Sequence, residues 1–403
     1  MDICKKNECT GCFACISACV HDCITMQENE YGESHPVVDE KKCVHCNACI
    51  NACPNNSPKF EYRWPKKCYA SWITNKEKRR ICASGGIGTI LSEFVINYKK
   101  GVVFGTAYDE NFTPRVSYTE CIEGIERFKG SKYVQSIVGE KTYHDVKLFL
   151  KDNRFVLFIG TPCQIAGLKT YLKKDYDNLI TVDLICHGVS PTCYFKEEIG
   201  YLSNKYKIKN LTDIRFRGND DNNYCLSLWE GSKRVYRALK YTDYYLGGFL
   251  LGVTLRENCY SCKYARPDRI SDLTIGDFLR LGKKVPFPYK VRNVSSVTLN
   301  SDRGVSFYEE LIDKMPDIMN VEREYTERLE YKPSLLEPFA RHPLTDSFRS
   351  AYLEGGYLYA SRKVLSKEVN KAKVKEIKKK FRKILIIPYR VVRKIINQLF
   401  NIT

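Results

Sequence analysis

The sequence predicts an α+β protein in three parts: a small cysteine-rich domain over residues 1–65, a larger mixed α/β body over 66–360, and a helical basic tail over 361–403. Three observations carry that prediction. Eight of the nineteen cysteines fall in two copies of one spacing near the start. Apolar β-rich runs then alternate with helix-period runs. Lys and Arg crowd the end, where residues 362–403 hold fourteen of them against Glu368 and Glu376, a net +12 that leaves +6 for everything before.

A chain of 403 residues suits two or three units at roughly 150 residues each. Apolar residues at 43% and aromatics at 12% describe a globular protein. No apolar run approaches the roughly 20 residues needed to cross a bilayer. Met1-Asp2-Ile3-Cys4 has neither a basic n-region nor an apolar h-region, which places the chain in the cytoplasm. Disulfide scaffolds are short and secreted, so this many cysteines in a long chain without a leader point to metal ligation.

Cys9, Cys12, Cys15 and Cys19 follow C-x2-C-x2-C-x3-C, and Cys43, Cys46, Cys49 and Cys53 repeat it with Pro54 behind. This doubled signature predicts a bacterial-type diferredoxin domain with two [4Fe–4S] clusters, and hence a protein that moves electrons. Three closely spaced thiolates cap one cube while the fourth crosses to the other. One set is therefore Cys9, Cys12, Cys15 and Cys53, and the second is Cys43, Cys46, Cys49 and Cys19. Structural zinc is the alternative, although zinc sites rarely need eight cysteines in a crossed pattern. The first copy reads Cys19-Val20-His21 and lacks the proline, which alters a turn but removes no ligand. Cys4 and Cys23 fall outside the pattern and read as packed or free thiols.

In the body, strands are expected at Gly101–Tyr108, Phe155–Ile159 and Leu179–Ile185. Helices are expected at Gly88–Lys99, Thr142–Lys151, Cys163–Lys173 and Tyr194–Asn204. That alternation implies parallel pairing. Shorter strand-like pieces follow at Asp213–Arg217, Tyr224–Trp229, Asp272–Asp277 and Val294–Asn300.

Four motifs carry the body's chemistry. Ser84-Gly85-Gly86-Ile87-Gly88-Thr89 is a small-residue turn at a helix start, suited to a phosphate but equally to a plain cap. Gly130-Ser131-Lys132-Tyr133-Val134-Gln135-Ser136 is a polar stretch before a helix. Gly160-Thr161-Pro162-Cys163-Gln164 follows a strand, and Pro162 at the first helical position would set the Cys163 thiol at the positive end of a helix, where thiols ionise easily. Val182-Asp183-Leu184-Ile185-Cys186-His187-Gly188 ends a strand, and is echoed by Cys259-x2-Cys262 before Asp272-Leu273-Thr274-Ile275-Gly276-Asp277.

In this order, over roughly residues 66–310, these motifs resemble the coenzyme F420 hydrogenase/dehydrogenase beta subunit family, most specifically through Gly160–Gln164 and Cys186-His187-Gly188. The resemblance implies a flavoprotein body binding FAD. Ser84, Gly85 and Gly86 would contact its diphosphate, with Lys132 and Gln135 near the flavin. It also implies a third [4Fe–4S] cluster on Cys163, Cys186, Cys259 and Cys262. Spacing alone leaves a zinc knuckle or a buried inert set open for those four. Cys68, Cys82, Cys121, Cys193 and Cys225 read as packing residues.

His187 is the one catalytic candidate, as a proton relay, with a hydrogen bond beside a cluster as the other reading. Asp272 and Asp277 could position a substrate or simply cap turns.

In the tail, Val391, Val392, Ile395, Ile396, Leu399 and Phe400 recur at helical spacing opposite Arg390, Arg393, Lys394, Asn397 and Gln398, and Pro388 is expected to split it into two helices. Such a helix fits a membrane surface at the inner face, or a partner or second copy of the chain. Nucleic acid is disfavoured because no recognition motif appears.

The function that follows is an iron–sulfur flavoprotein oxidoreductase, passing electrons between a one-electron donor such as ferredoxin or another redox protein, the clusters, FAD and a two-electron acceptor, F420 or another small organic substrate. The alternatives are a non-catalytic electron-transfer subunit of a larger complex and a membrane-associated reductase acting on a glycan or lipid precursor.

Overall fold

The computed structural model describes residues 1–56, 60–218, 224–330 and 335–399, with side chains omitted at residue 380 and beyond 381. In the cysteine-rich start, α1 (Ala14–Ser17) and α2 (Ala48–Ala52) flank an antiparallel hairpin of β1 (Ile24–Glu28) and β2 (Ser34–Val38). The two helices begin alike. Phe13 and Asn47 just before them have φ of 66° and 58°, and Gly11 and His45, two residues earlier, have φ of 64° and 54°. Positive φ is uncommon away from glycine. The repeated sequence is therefore also a repeated backbone, bent to bring three cysteines of each copy around one point.

The body is built on an eight-stranded sheet of β3 (Lys67–Ile73), β4 (Val102–Tyr108), β5 (Pro114–Thr119), β6 (Val156–Gly160), β7 (Leu179–Leu184), β11 (Leu273–Asp277), β12 (Ser295–Leu299) and β13 (Ile318–Glu322), in the order β13-β3-β12-β11-β7-β6-β4-β5. Strands β4, β6, β7 and β11 pair in parallel, with Ile159 opposite Val182 and Thr274 opposite Asp183. The other pairings are antiparallel. A second, three-stranded sheet joins β8 (Asp213–Arg215), β9 (Cys225–Glu230) and β10 (Lys233–Leu239). The remaining helices are α3 (Lys76–Arg80), α4 (Ile87–Lys99), α5 (Thr142–Lys151), α6 (Pro162–Leu172), α7 (Thr192–Lys205), α8 (Tyr244–Leu251), α9 (Asp302–Lys314), α10 (Tyr325–Leu329) and α11 (Thr345–Leu399).

Helices α4 and α9 cover one face of the large sheet, burying Leu91, Phe94, Phe307 and Leu311 against Val182, Leu273 and Val297. The parallel strands are apolar there because helices sit on them. On the other face α5 and α6 pack Tyr143, Val146 and Ile165 against Val156 and Phe158, and the cysteine-rich start joins that same cluster through Ala14, Ile16, Ile24 and Cys53. At ~1.5–3 kcal/mol for each fully buried large apolar side chain, the shared core holds this start onto the body more firmly than a linker would.

The tail differs from expectation. The helical backbone runs through Pro388 to Leu399, and its non-helical residues are Gly355 and Gly356, the latter at φ 73°. Loss of one backbone bond at a proline bends a helix without necessarily ending it. Leu365 and Val369 are buried against α7 and α8 in the third core cluster, so the first turns past residue 360 pack with the body. The side chains of the predicted amphipathic faces, from Arg390 to Phe400, lie outside the described residues. Among the described residues no helix is long and apolar enough to cross a membrane.

Candidate functional site

Three cavities gather twelve cysteines expected to bind clusters and two more. The first is lined by Cys9, Cys12, Cys15 and Cys53, together with Cys4. The second is lined by Cys43, Cys46, Cys49 and Cys19, together with Cys23, whose Sγ is 3.3 Å from that of Cys19. Each cavity thus takes three cysteines from one repeat and the fourth from the other. Cys4 and Cys23, expected to be bystanders, stand in the cavity walls. Hydrogen bonding with Cys4, then with His35, together with the charge of Arg256, holds the Cys9 thiol down to about 4 against its burial. Burial pushes Cys12 up to about 12. The second cavity lies near the surface, where Cys46 is exposed and Val20 and Val44 are 82% and 59% exposed.

The third cavity lies in the body and is lined by Cys163, Cys186, Cys259 and Cys262. Cys163 comes from the first turn of α6 and Cys186 from the segment leaving β7. The helix starts as its sequence predicts: Pro162 is the first residue, and the Thr161 N–H donates to Gln164 Oε1 at 2.9 Å. The expected easy ionisation of Cys163 is not observed. Burial raises its thiol to about 11, outweighing the Thr161 hydroxyl 3.2 Å away. Among the described residues no group of three or more His, Cys, Asp or Glu side chains is gathered as a single-ion site.

The first and third cavities share a wall, since Thr10 and Gly11 line both. Gly11 is required there: its φ is 64°, and a Cβ would stand 2.4 Å from Gln135 Nε2. Gly167 of α6 is similarly needed, because a Cβ on it would meet Cys12 Cβ and Sγ at 3.1 Å and Tyr143 Oη at 2.8 Å. Arg256, fully buried, closes the junction. Its guanidinium donates to Asn258 Oδ1, to Gln135 Oε1 at 2.8 Å, and to the carbonyls of Cys9 and Ser34 at 3.1 Å. His187 also lines the third cavity, with Nε2 3.0 Å from the Phe249 carbonyl and its ring 4.2 Å from that of Phe339.

The five residues expected around a flavin are not brought together. Gln135 lines the third cavity, and its backbone N–H donates to Ser190 O. Lys132 stands elsewhere, donating to the carbonyls of Arg127 and Lys129, and burial lowers it to about 7. Ser84, Gly85 and Gly86 form the turn into α4, but the turn is largely self-satisfied. Ser84 Oγ donates to Val294 O, the Gly85 N–H to Ser295 Oγ and the Gly86 N–H to Ala83 O.

Beside that turn lies a polar cluster built on Asp277, one of the two aspartates marked in the sequence, with partners that carried no signal there. The Arg217 guanidinium pairs with both oxygens of Asp277 at 2.9 and 3.2 Å, and Tyr224 donates to the same carboxylate. Burial would raise Asp277, but Arg217 prevails, with Tyr224 and Ser84 assisting, and holds it at about 2. Asp272, by contrast, is a joint of the scaffold, accepting from the Thr181 N–H and hydroxyl, from Ser301 and from Arg303. Arg217 and Arg256 escaped notice because isolated arginines in a chain that is 28% charged carry no pattern.

Comparison with known proteins places these features in context. Residues 8–57 match a 4Fe-4S dicluster domain. Residues 153–320 match the C terminus of the coenzyme F420 hydrogenase/dehydrogenase beta subunit. Among solved structures the chain is similar to a chain of the F420-reducing [NiFe] hydrogenase complex from Methanosarcina barkeri, with a TM-score of 0.43 and 13% identity over 77% of this chain and 92% of that one. No curated protein matches the sequence.

Proposed function

With a 4Fe-4S dicluster domain followed by the C-terminal region of a coenzyme F420 hydrogenase/dehydrogenase beta subunit, this chain is an iron–sulfur, oxidoreductase-like electron-transfer protein related to that subunit, and we propose that it is a flavin-dependent reductase or dehydrogenase. The observation that carries this reading is the convergence of Cys163, Cys186, Cys259 and Cys262 on one cavity whose Thr10–Gly11 wall is shared with the first cavity of the ferredoxin module. Four thiols from three separate segments suit a [4Fe–4S] cubane, as do the two crossed sets before them.

When bound, the clusters supply one-electron steps and FAD the conversion to an electron pair that organic acceptors need. The residues of the chain do the rest. Cys46, Val20 and Val44 put the second cavity at the surface, where a ferredoxin or another redox protein can dock. Arg256 keeps module and body in register. Gln135 and His187 line the third cavity, where His187 would hold a proton for an acceptor or orient a group beside the cysteines. Ser84–Gly86 and the Arg217–Asp277 pair would seat the flavin phosphates at the start of α4. The acceptor is F420 or another small organic molecule.

Anaerobic purification with iron, sulfide and flavin quantification tests the reading. About twelve irons per chain with bound FAD supports it. About eight irons without flavin reduces the protein to an electron-transfer subunit, and bound zinc without flavin removes the body assignment altogether.

A further inference from the structure

The β1–β2 hairpin carries a histidine whose hydrogen bonds can be traced atom by atom. His35 lies in β2 opposite Gln27. Its Nε2 stands 3.5 Å from Asn29 Nδ2 and 3.7 Å from Glu33 Oε2. The Asn29 amide has one orientation open to it, because its Oδ1 accepts the N–H groups of Tyr31 and Glu33 at 3.0 and 2.9 Å. The NH2 end therefore faces the imidazole, and Nε2 accepts. Glu33 does not compete: Oε2 lies beyond hydrogen-bond reach of Nε2, and Oε1 serves Arg349 and the Glu257 N–H. A neutral imidazole that accepts at one nitrogen carries its hydrogen on the other, and a doubly protonated ring has a hydrogen there as well. Nδ1 is a donor in either case.

That donor is buried and, among the described residues, has no hydrogen-bond partner. Leaving a buried donor unmet is costly. Beside the ring stands Cys9, one of the four cysteines of the first crossed set. Interaction with Cys9, then with Glu33, raises His35 against its burial, and His35 follows Cys4 among the groups that hold Cys9 down. Arg256 draws the two segments together, since its Nη2 donates to the carbonyls of both Cys9 and Ser34, the residue before His35. With Nε2 turned to Asn29 and Glu33, Nδ1 is the nitrogen left for Cys9. A neutral thiol is a weak acceptor, whereas the thiolate that holds iron is a strong one. The orphaned donor gains its partner when Cys9 becomes a ligand.

We propose that His35 is a positioning residue of the electron path, whose Nδ1–H donates to the Cys9 thiolate and raises the reduction potential of the first cluster. Hydrogen bonds to ligand sulfurs tune such potentials. The bond is stronger once one electron has been added, because the added negative charge is shared with sulfur, so His35 favours the reduced state. The first cavity is the one that shares a wall with the body. A higher potential there draws electrons that enter at the exposed second cavity toward the body. The inference rests on the cluster assignment of the ferredoxin module and needs no flavin.

The full chain is purified anaerobically as wild type, His35→Leu and His35→Asn. Iron content and the potentials of the paramagnetic components, from dithionite titrations at one pH, are measured for each. Leucine fills the space without a donor, while asparagine offers an amide N–H attached, like Nδ1, to Cγ. His35→Leu should keep its iron and lower the potential of one component by about 59 mV or more, a tenfold loss in the one-electron reduction equilibrium. The other components should stay in place, and His35→Asn should recover most of the shift. Pulsed paramagnetic resonance on wild type grown with isotope-labelled histidine should couple a histidine nitrogen to that component, and His35→Asn should remove the coupling. No shift in His35→Leu overturns the proposal. So does an equal shift of every component, which marks a loosened module, or a His35→Asn that behaves as His35→Leu. If His35→Leu loses iron, the coupling decides: its absence from wild type, or its persistence in His35→Asn, sinks the proposal, and its loss in an iron-replete His35→Asn upholds it. A wild type without iron overturns the cluster reading and this inference together. A shifted component in protein with about eight irons and no flavin upholds His35 and removes the flavin reading.

Discussion

Replacing Arg256 with methionine should uncouple the ferredoxin module from the body without unfolding either. Two of its guanidinium bonds, to the carbonyls of Cys9 and Ser34, cross from the body to the module. Hydrogen bonds to a charged group contribute ~1.5–3 kcal/mol each. The pair is therefore worth roughly 3–6 kcal/mol, and about 4 is a fair expectation because such terms do not add fully. The variant also withdraws a positive field from Glu33, although Arg349 and the Glu257 N–H still hold that carboxylate. Hydrogen exchange read by mass spectrometry resolves the effect locally, since opening free energies convert to exchange rates. At ~1.4 kcal/mol per decade, amides in residues 1–56 should exchange about a thousandfold faster, while those in β6 and β7 change little. Arg256→Lys, with one compact donor group, should recover part of the protection. If peptides from residues 1–56 exchange within threefold of wild type, the junction is held by the shared apolar core alone and the argument for an arginine clamp fails.

Other expectations are simpler to check. Gly167→Ala forces a methyl against Cys12 and Tyr143 Oη, an overpacking that costs ~1–3 kcal/mol and should lower the melting temperature. Cys262→Ala should reduce bound iron by about four per chain and leave the module's eight, with the dithionite-reduced paramagnetic spectrum losing one component. Cys4→Ser and Cys23→Ser should each retain the full iron content, because four thiols remain in each cavity; loss of iron in either would reassign the ligands. Burial and neighbouring Asp243 raise Glu198 to about 7 despite its pairing with Arg362. A carboxyl raised on folding stabilises below its ordinary value near 4.5, and that stabilisation is lost as pH rises through 7. Denaturation midpoints should therefore fall between pH 5 and 8 by up to roughly 3 kcal/mol of stability, and Glu198→Gln should flatten the curve.

Much of this architecture is legible in the residues. The parallel strands β4, β6 and β7 and helices α4 to α7 lie within a residue or two of where apolar periodicity puts them, because buried strands and two-sided helices write their period directly into side-chain polarity. The strands missed in the body, β3, β5, β10 and β13, are antiparallel or edge pieces such as Lys233–Leu239, where polar and apolar residues mix without a clean alternation. The cysteines of each cavity are visible from spacing within a repeat. The convergence of Cys163 with Cys259 and Cys262 is not, since it depends on how β7 and β11 come to lie side by side. Ser84–Gly86 shows how little a short motif decides alone. A small-residue helix start looks the same whether it waits for a phosphate or hydrogen-bonds to Val294 and Ser295, and only the neighbouring strand tells them apart.

Helix α6 meets the third cavity through Cys163 and, one turn later, lets Cys12 rest against the bare backbone of Gly167. Four residues of helix advance about 6 Å. The separation between whatever occupies those two cavities is consequently set by the pitch of a single rigid rod and by the contact of a thiol with a glycine. That spacing holds only while the module stays docked, so opening the junction that Arg256 bridges would also part Cys12 from Gly167.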